Sequence, residues 1–460
     1  MLKNGGQTGV LKKNKMKTEV VVIGAGMSGL SAALTLKKRG YEVKLLEPAG
    51  RPGGAAQTFF ENGYLCESGP NTMMVSRSET VAFLEENGMM DSALDAAPQA
   101  KRRYVVRDGK PVVLPNSLQS FISGSFLSAS GKLAMMAEPL RSKGRNANES
   151  LGDFFSRRIG AEAAVELVDP FVSGIYAGDP SRLVMRHAMP KLYEWEQLGG
   201  SLLRGMILSK KKAGGGTDKK IKRRLISWPG GLSELSSGLL ARLGQGLKLS
   251  EEARAIRPQN GGFLIETAAG VYEAKQVVLA TSAKQAAALI APFAGAVGAL
   301  QNVPYAPMLV AHIGYDRNAV SHPLDGFGML VSRARGIRTL GALFSSTLFP
   351  GRAPVGKVLL TAFIGGRRDQ AALALEENEV REVILKDMKP LLGISSSPEF
   401  FRLTKWERAI PQYEAGHECM LDECARIENA FPSLHLIGNY RGGISMEDCI
   451  GSARSMAEKI

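Results

Sequence analysis

TEVVVIGAGMSGL, running from Thr18 to Leu30, decides the fold. Its opening, Val20 to Ile23, is an unbroken apolar run of the kind expected for a parallel strand buried on both faces. Gly24, Gly26 and Gly29 then turn the chain into a segment with Leu30, Ala33 and Leu34 on one helical face, and Gly40 predicts its end. YEVKLLE (41–47) supplies a second strand closing on Glu47. Strand, glycine turn, helix and acid-terminated strand form the context in which a G-x-G-x-x-G run marks a dinucleotide site. Gly24 permits the sharp turn, Gly26 lets backbone amides approach a pyrophosphate, and Gly29 lets helix and strand pack closely. The helix N-terminus adds partial positive charge for the phosphates, and Glu47 can accept hydrogen bonds from a ribose diol.

The next residues, EPAGRPGG, place Glu47, Arg51, Gly53 and Gly54 in an E-x3-R-x-G-G run. This resembles the second signature of the glutathione-reductase-like FAD superfamily, which implies FAD rather than NAD. VVLATSA (277–283) resembles the strand that returns to the same fold. At the C-terminus, Leu434 to Gly438 reads as a strand leading through Arg441, Gly442 and Gly443 to a helix starting near Met446. The amides of Gly443, Ile444, Ser445 and Met446 are therefore expected beside the flavin, where a helix start stabilises negative charge. No second dinucleotide fingerprint follows, so reoxidation falls to oxygen or another external acceptor.

Composition bounds the rest. At 460 residues with 44% apolar content, the chain suffices for two or three units with a sizeable core. No stretch approaches about 18 uninterrupted apolar residues, and no secretory signal pattern opens the chain. Residues 1–17 read as a disordered, basic leader, with Met16 an alternative start. Cys66, Cys419, Cys424 and Cys449 lack both disulfide and zinc spacing, so no metal is expected and a reducing, cytoplasmic setting fits. The net charge of +14 is concentrated at Lys210, Lys211, Lys212, Lys219, Lys220, Lys222, Arg223 and Arg224, around the glycine-rich AGGGTDKK. Without a nucleic-acid-reading motif, that charge beside amphipathic segments predicts peripheral contact with an anionic membrane and no nucleic-acid partner.

Seven further stretches carry a resemblance: ESGPNTMM (67–74), KRRYVVRDGKPVVLP (101–115), VDPFVSGIYAGDPSRL (168–183), PLDGFGMLV (323–331), GALFSSTLFPGRAP (341–354), TAFIGGRRD (361–369) and GNYRGGISMEDCI (438–450). In this order they resemble the oxygen-dependent protoporphyrinogen oxidase family, within the amine oxidase and phytoene desaturase superfamily. The resemblance implies an α/β architecture: a Rossmann-like FAD domain, an inserted mixed-sheet substrate domain and a helical membrane-associated domain. The implied bounds are 18–95, 222–291 and 412–460 for the FAD domain, 96–221 for the helical domain and 292–411 for the substrate domain. It also implies a porphyrinogen substrate, three two-electron oxidations and hydrogen peroxide from molecular oxygen.

By the same resemblance Arg103 pairs with a propionate, Phe363, Leu330 and Leu343 sandwich the pyrrole rings, and the Gly174 backbone lies near the macrocycle. Trp406 and Trp228 fall in segments resembling the flavin pocket. The residues suit these roles, since a guanidinium binds carboxylate bidentately and apolar walls suit a flat ligand. Lys101 and Arg102 adjoin Arg103, so that assignment could slip by one. Ala253 and Ala55 depart from the superfamily's usual valine and basic residue without threatening the cofactor. No histidine stands out as a general base; the flavin is the implied hydride acceptor, with the proton passing to solvent or a backbone acceptor. Coproporphyrinogen III, with four propionates, is the nearest alternative substrate. An amine oxidase, a carotenoid desaturase and a flavin-containing porphyrin carrier without turnover are the others, and a homodimer is left open.

Overall fold

The computed structural model describes residues 15–213 and 221–460. Its first sheet grows from the opening strand, Lys15–Ile23, which lies parallel between Val43–Glu47 and Val271–Leu279. Leu247–Leu249 continues the sheet in parallel beyond Val43–Glu47, and Leu434–Leu436 runs parallel beside Val277 to Leu279. Ala255–Gln259 and Gly262–Glu266 add an antiparallel pair at that second edge. Alternation along the first strand explains its apolar run. Val20 and Val22 pack with Leu30, Ala33 and Ile450 on one side; Val21 and Ile23 pack with Ala286, Ile290 and Ile427 on the other. With both faces covered by helices, no position along the run can stay polar. The parallel strands end together at Ile23, Glu47, Leu279 and Leu436, which is where a doubly wound sheet opens its ligand crevice.

A second seven-stranded sheet runs in the order Phe400–Pro411, Tyr305–Asp316, Lys357–Gly365, Gly341–Leu343, Gly328–Leu330, Tyr104–Arg107 and Lys110–Val113. Its neighbours are antiparallel except Gly328–Leu330 against Tyr104–Arg107. The helix Glu377–Leu392 buries Val380, Ile384 and Met388 against one face. Helices between 118 and 213 form a third body around Phe126, Phe154, Val172 and Met185. Ser150 caps Leu151–Ile159, its Oγ accepting from the Asp153 amide at 3.1 Å.

Two expectations need correction. Lys15 to Lys17, read as part of the leader, pair in strand register with Val271 to Glu273; the earlier leader residues lie outside the described ones. The hairpin Tyr104–Val113, placed by sequence in the helical segment, belongs to the second sheet, with its turn at Asp108 (φ 48°) and Gly109 (φ 72°). The helix Asp169–Tyr176 runs through Gly174 and ends at the left-handed Ala177.

On the strand Tyr305–Asp316, His312 is buried with Nε2 at 3.1 Å from the Glu67 carbonyl oxygen, and desolvation pulls its pKa down to about 4. In the unfolded chain it titrates near its ordinary value of about 6.5. From 6.5 down to about 4 the unfolded state therefore binds the extra proton, so His312 makes stability fall as pH falls. Neighbouring Glu67, pushed up to about 7 by burial, acts in the opposite sense, and its contribution cancels when variants at 312 are compared. The stability advantage of wild type over His312→Gln is expected to shrink by about 1.5 kcal/mol between pH 6.5 and 5 in urea titrations. An advantage independent of pH would contradict this.

Candidate active site

The glycine turn is built as the sequence predicts. Gly24 adopts φ 103°, and a Cβ on Gly29 would lie 1.8 Å from the Gly24 carbonyl oxygen, so only glycine lets the helix Met27–Lys38 start so close to the strand. Gly26 differs: a Cβ there meets nothing within 4 Å. It is the N-cap of the helix, no side chain caps that end, and the first turn carries no acid. The helix start is thus uncapped, with room beside Gly26, as an anionic pyrophosphate requires. Glu47 closes the second strand with Oε2 accepting from the Ala25 amide at 2.7 Å and Oε1 from the Ala49 amide at 3.0 Å. The second glycine arm folds back alongside, with Gly53 bridged to Gly26 and its amide donating to the Ala25 carbonyl at 2.8 Å. Gly54 approaches Gly26 closely, and Arg51 is exposed with its guanidinium over the Phe59 ring. The open, uncapped helix start beside an acid and two glycine arms fits a dinucleotide.

The C-terminal segment reaches the same crevice. Gly438 and Gly443 have positive φ, and the helix Met446–Ala457 begins at Ser445, whose Oγ accepts from the Asp448 amide. Ile444 packs toward the helical body and Met446 toward the FAD-side core. Two contacts here escaped the sequence reading. The Tyr413 hydroxyl accepts from the Gly443 amide at 3.0 Å and donates to the Asn439 carbonyl at 2.6 Å, tying the glycine loop at both ends. Glu447 accepts from the amides of Ser76 and Arg77, joining this segment to the chain just after the ESGPNTMM stretch. Trp406 is half-buried, its Nε1 donating to the Ser68 carbonyl at 2.7 Å, and it shares a cluster with Phe363. Trp228, by contrast, is wholly buried and donates to the Met89 carbonyl, which makes it a core residue.

The five predicted wall residues come together on one face of the second sheet. Leu330, Gly341 and Phe363 stand in register across three strands, and Leu330 is also paired with Val105. Side chains two apart share a face, so Leu343 and Arg103 project on that same side. Gly174 lies against Leu330, where a Cβ would come within 2.4 Å of Leu330 Cδ2. On the same helix Phe171, one turn before Gly174, and Ile175, one turn after Phe171, are exposed and add apolar surface. Arg102 and Arg103 part company: Arg102 pairs with Asp325, whereas Arg103 has no carboxylate partner among the described residues and lies over the Phe327 ring. Among the described residues no cluster of three or more His, Cys, Asp or Glu is set to hold a metal.

A doubly wound sheet whose uncapped helix start, acid and twin glycine arms face a second, apolar-walled sheet defines a flavin-dependent oxidoreductase. The chain matches the flavin containing amine oxidoreductase family over residues 27–460 and belongs to it. It is 31% identical to the mitochondrial protoporphyrinogen oxidase of Nicotiana tabacum, over 97% of this chain and 95% of that protein. It is also 28% identical to the coproporphyrinogen III oxidase of Bacillus subtilis (strain 168), over 95% and 97%. The fold superposes with a TM-score of 0.81 on the crystal structure of the "Putative protoporphyrinogen oxidase" from Exiguobacterium sp. 255-15, 22% identical, covering 96% of this chain and 98% of that one. The resemblance carried by the motifs thus extends over the whole length of these relatives, and the cofactor is FAD.

Proposed function

We propose that this flavoprotein oxidises protoporphyrinogen IX to protoporphyrin IX with molecular oxygen as acceptor, in three two-electron rounds that each yield hydrogen peroxide. Bound FAD, held by Gly24, Gly26, Gly29, Glu47, Arg51, Gly53 and Gly54 with the Gly438–Met446 segment and Trp406, supplies the two-electron acceptor. The chain's own work is to bind, orient and keep dry. Leu330, Leu343 and Phe363, with Gly174 leaving room beside Leu330, form a wall suited to the flat face of a tetrapyrrole. His312, the histidine on the strand beside Phe363, is held neutral to about 4 and has Nε2 committed to Glu67, so it is a poor base. The pyrrole proton accordingly passes to water or a backbone carbonyl.

Arg103 is the observation that carries the substrate assignment. The hairpin with its lead-in and the links 331–340 and 366–369 hold Arg102, Arg103, Arg107, Arg333, Arg335, Arg338, Arg367 and Arg368. Among the described residues all but Arg103 pair with carboxylates, namely Asp325, Glu162, Asp369, Glu166, Asp369 again, Glu414 and Asp169 respectively. One unpaired guanidinium suits a substrate with its two propionates on a single edge. Four propionates would leave carboxylates without partners, at a cost of about 1.4 kcal/mol for each tenfold in preference. Coproporphyrinogen III remains the second reading, favoured by the Bacillus relative. Comparing kcat/KM for the two porphyrinogens by porphyrin fluorescence tests this. We expect protoporphyrinogen IX to lead by about tenfold or more, and a clear lead for coproporphyrinogen III would overturn the assignment.

Peripheral membrane contact forms part of the same proposal. No helix among the described residues is long and apolar enough to cross a membrane. The helical body nevertheless exposes Ile122, Leu133, Met136, Leu140, Leu203 and Ile207, with Arg204, Lys210, Lys211 and Lys212 exposed beside them. Apolar side chains among cations suit an anionic lipid surface. Of the basic run, Lys219 and Lys220 lie outside the described residues, and Arg224 is engaged by Asp95. The protein should sediment with phosphatidylserine-containing vesicles, and Leu203→Asp should weaken this without loss of flavin; no sedimentation would count against the contact.

A further inference from the structure

The loop Pro323–Gly328 grips the residues around Arg103 one by one. The Asp325 carboxylate holds the Arg102 guanidinium and accepts from the Tyr104 hydroxyl at 2.5 Å. The Phe327 amide donates to the Arg102 carbonyl at 2.8 Å. Gly326 is obliged to be small, because a Cβ would lie 2.8 Å from the Tyr104 ring and 2.9 Å from the Arg102 carbonyl oxygen. Phe327 itself is half-buried against the cluster of Ala100, Leu348 and Phe349, on which Leu343 also packs, and it carries the Arg103 guanidinium 5.1 Å from its ring centre. The Arg103 backbone is fixed as well, its carbonyl accepting from the Leu114 amide at 2.8 Å. An exposed arginine with no acidic partner samples many rotamers, and a ring beneath it narrows that choice without neutralising the charge.

We infer that Phe327 is a positioning residue that presents Arg103 to a porphyrinogen carboxylate, while Asp325 keeps Arg102 from competing for it. This rests on the reading of Arg103 given above. Phe327 joins the apolar wall at Leu343 to the cationic edge, so the propionate and the ring it hangs from are registered by one side chain. Asp325 sorts the two adjacent arginines, one committed to protein and one left for substrate.

The test uses the flavin-loaded enzyme with two probes, protoporphyrinogen IX and its dimethyl ester, in which both carboxylates are masked. Phe327→Leu keeps apolar volume but removes the ring; Phe327→Tyr keeps the ring. Phe327→Leu is expected to raise KM for the free acid about fivefold to tenfold while leaving kcat within about twofold. The diester should respond little, and Phe327→Tyr should restore the acid's KM. Flavin absorbance of each purified variant reports that the holoenzyme is intact. If Phe327→Leu weakens acid and diester equally, or changes neither, Phe327 is merely a wall and the inference is overturned. Equal KM values for acid and diester in the wild type would instead overturn the role of Arg103 itself, a failure visible before any variant is made.

Discussion

Gly29→Ala is expected to give a colourless protein. A Cβ at position 29 falls 1.8 Å from the Gly24 carbonyl oxygen and 3.2 Å from the Ala280 side chain, so the helix must move off the strand it starts from. Such overpacking against backbone costs about 1–3 kcal/mol or more. The moving part is the pyrophosphate cradle, so FAD affinity should fall at least about a hundredfold and the apoprotein should melt earlier. Gly26→Ala separates the two effects. Its Cβ meets no protein atom within 4 Å, so the apoprotein should keep its melting temperature while flavin binding still weakens, because the added methyl stands where the cofactor approaches. Flavin absorbance per protein and thermal scans of both apoproteins check this pair. A yellow Gly29→Ala protein, or a Gly26→Ala protein destabilised without FAD, would contradict the site as described.

Arg103→Ala is expected to raise KM for protoporphyrinogen IX about tenfold to a hundredfold with a smaller change in kcat. The range follows from losing a charge-assisted, bidentate hydrogen bond worth about 1.5–3 kcal/mol. Arg102→Ala should change KM by less than about threefold, because Asp325 already holds that guanidinium. Arg103→Lys should recover only part of the loss, a point charge replacing a planar fork. Steady-state kinetics on the three variants distinguish the neighbours, and a larger effect at 102 than at 103 would transfer the carboxylate site to Arg102.

The sequence was most legible where structure is local. Val20 to Ile23 declares a doubly covered strand because both of its faces meet helices, and the Asp108-Gly109 turn declares its hairpin because both residues need positive φ. It was least legible where partners are distant. Lys15 to Lys17 look like a polar tail, yet they pair with Val271 to Glu273. Tyr104 and Val105 sit on Met329 and Leu330, a pairing that no local pattern near either strand announces. Of the site residues, the glycines and Glu47 were readable from spacing, whereas Arg103, Leu330, Leu343 and Phe363 came through resemblance and are ordinary strand residues taken singly. Phe327 and Tyr413 act through contacts with Arg103 and Gly443 that only the folded chain creates. Trp228 misled because a buried indole with its N–H satisfied looks the same in sequence whether it lines a core or a cofactor.

The central claim is that a reduced tetrapyrrole gives its electrons to this protein's FAD. Mixing the purified, flavin-loaded protein with protoporphyrinogen IX in the strict absence of oxygen tests it most directly. The yellow flavin absorbance should bleach, then return when oxygen is admitted, with porphyrin fluorescence growing in step. Flavin that keeps its oxidised spectrum throughout would contradict the account and leave a carrier without turnover in its place.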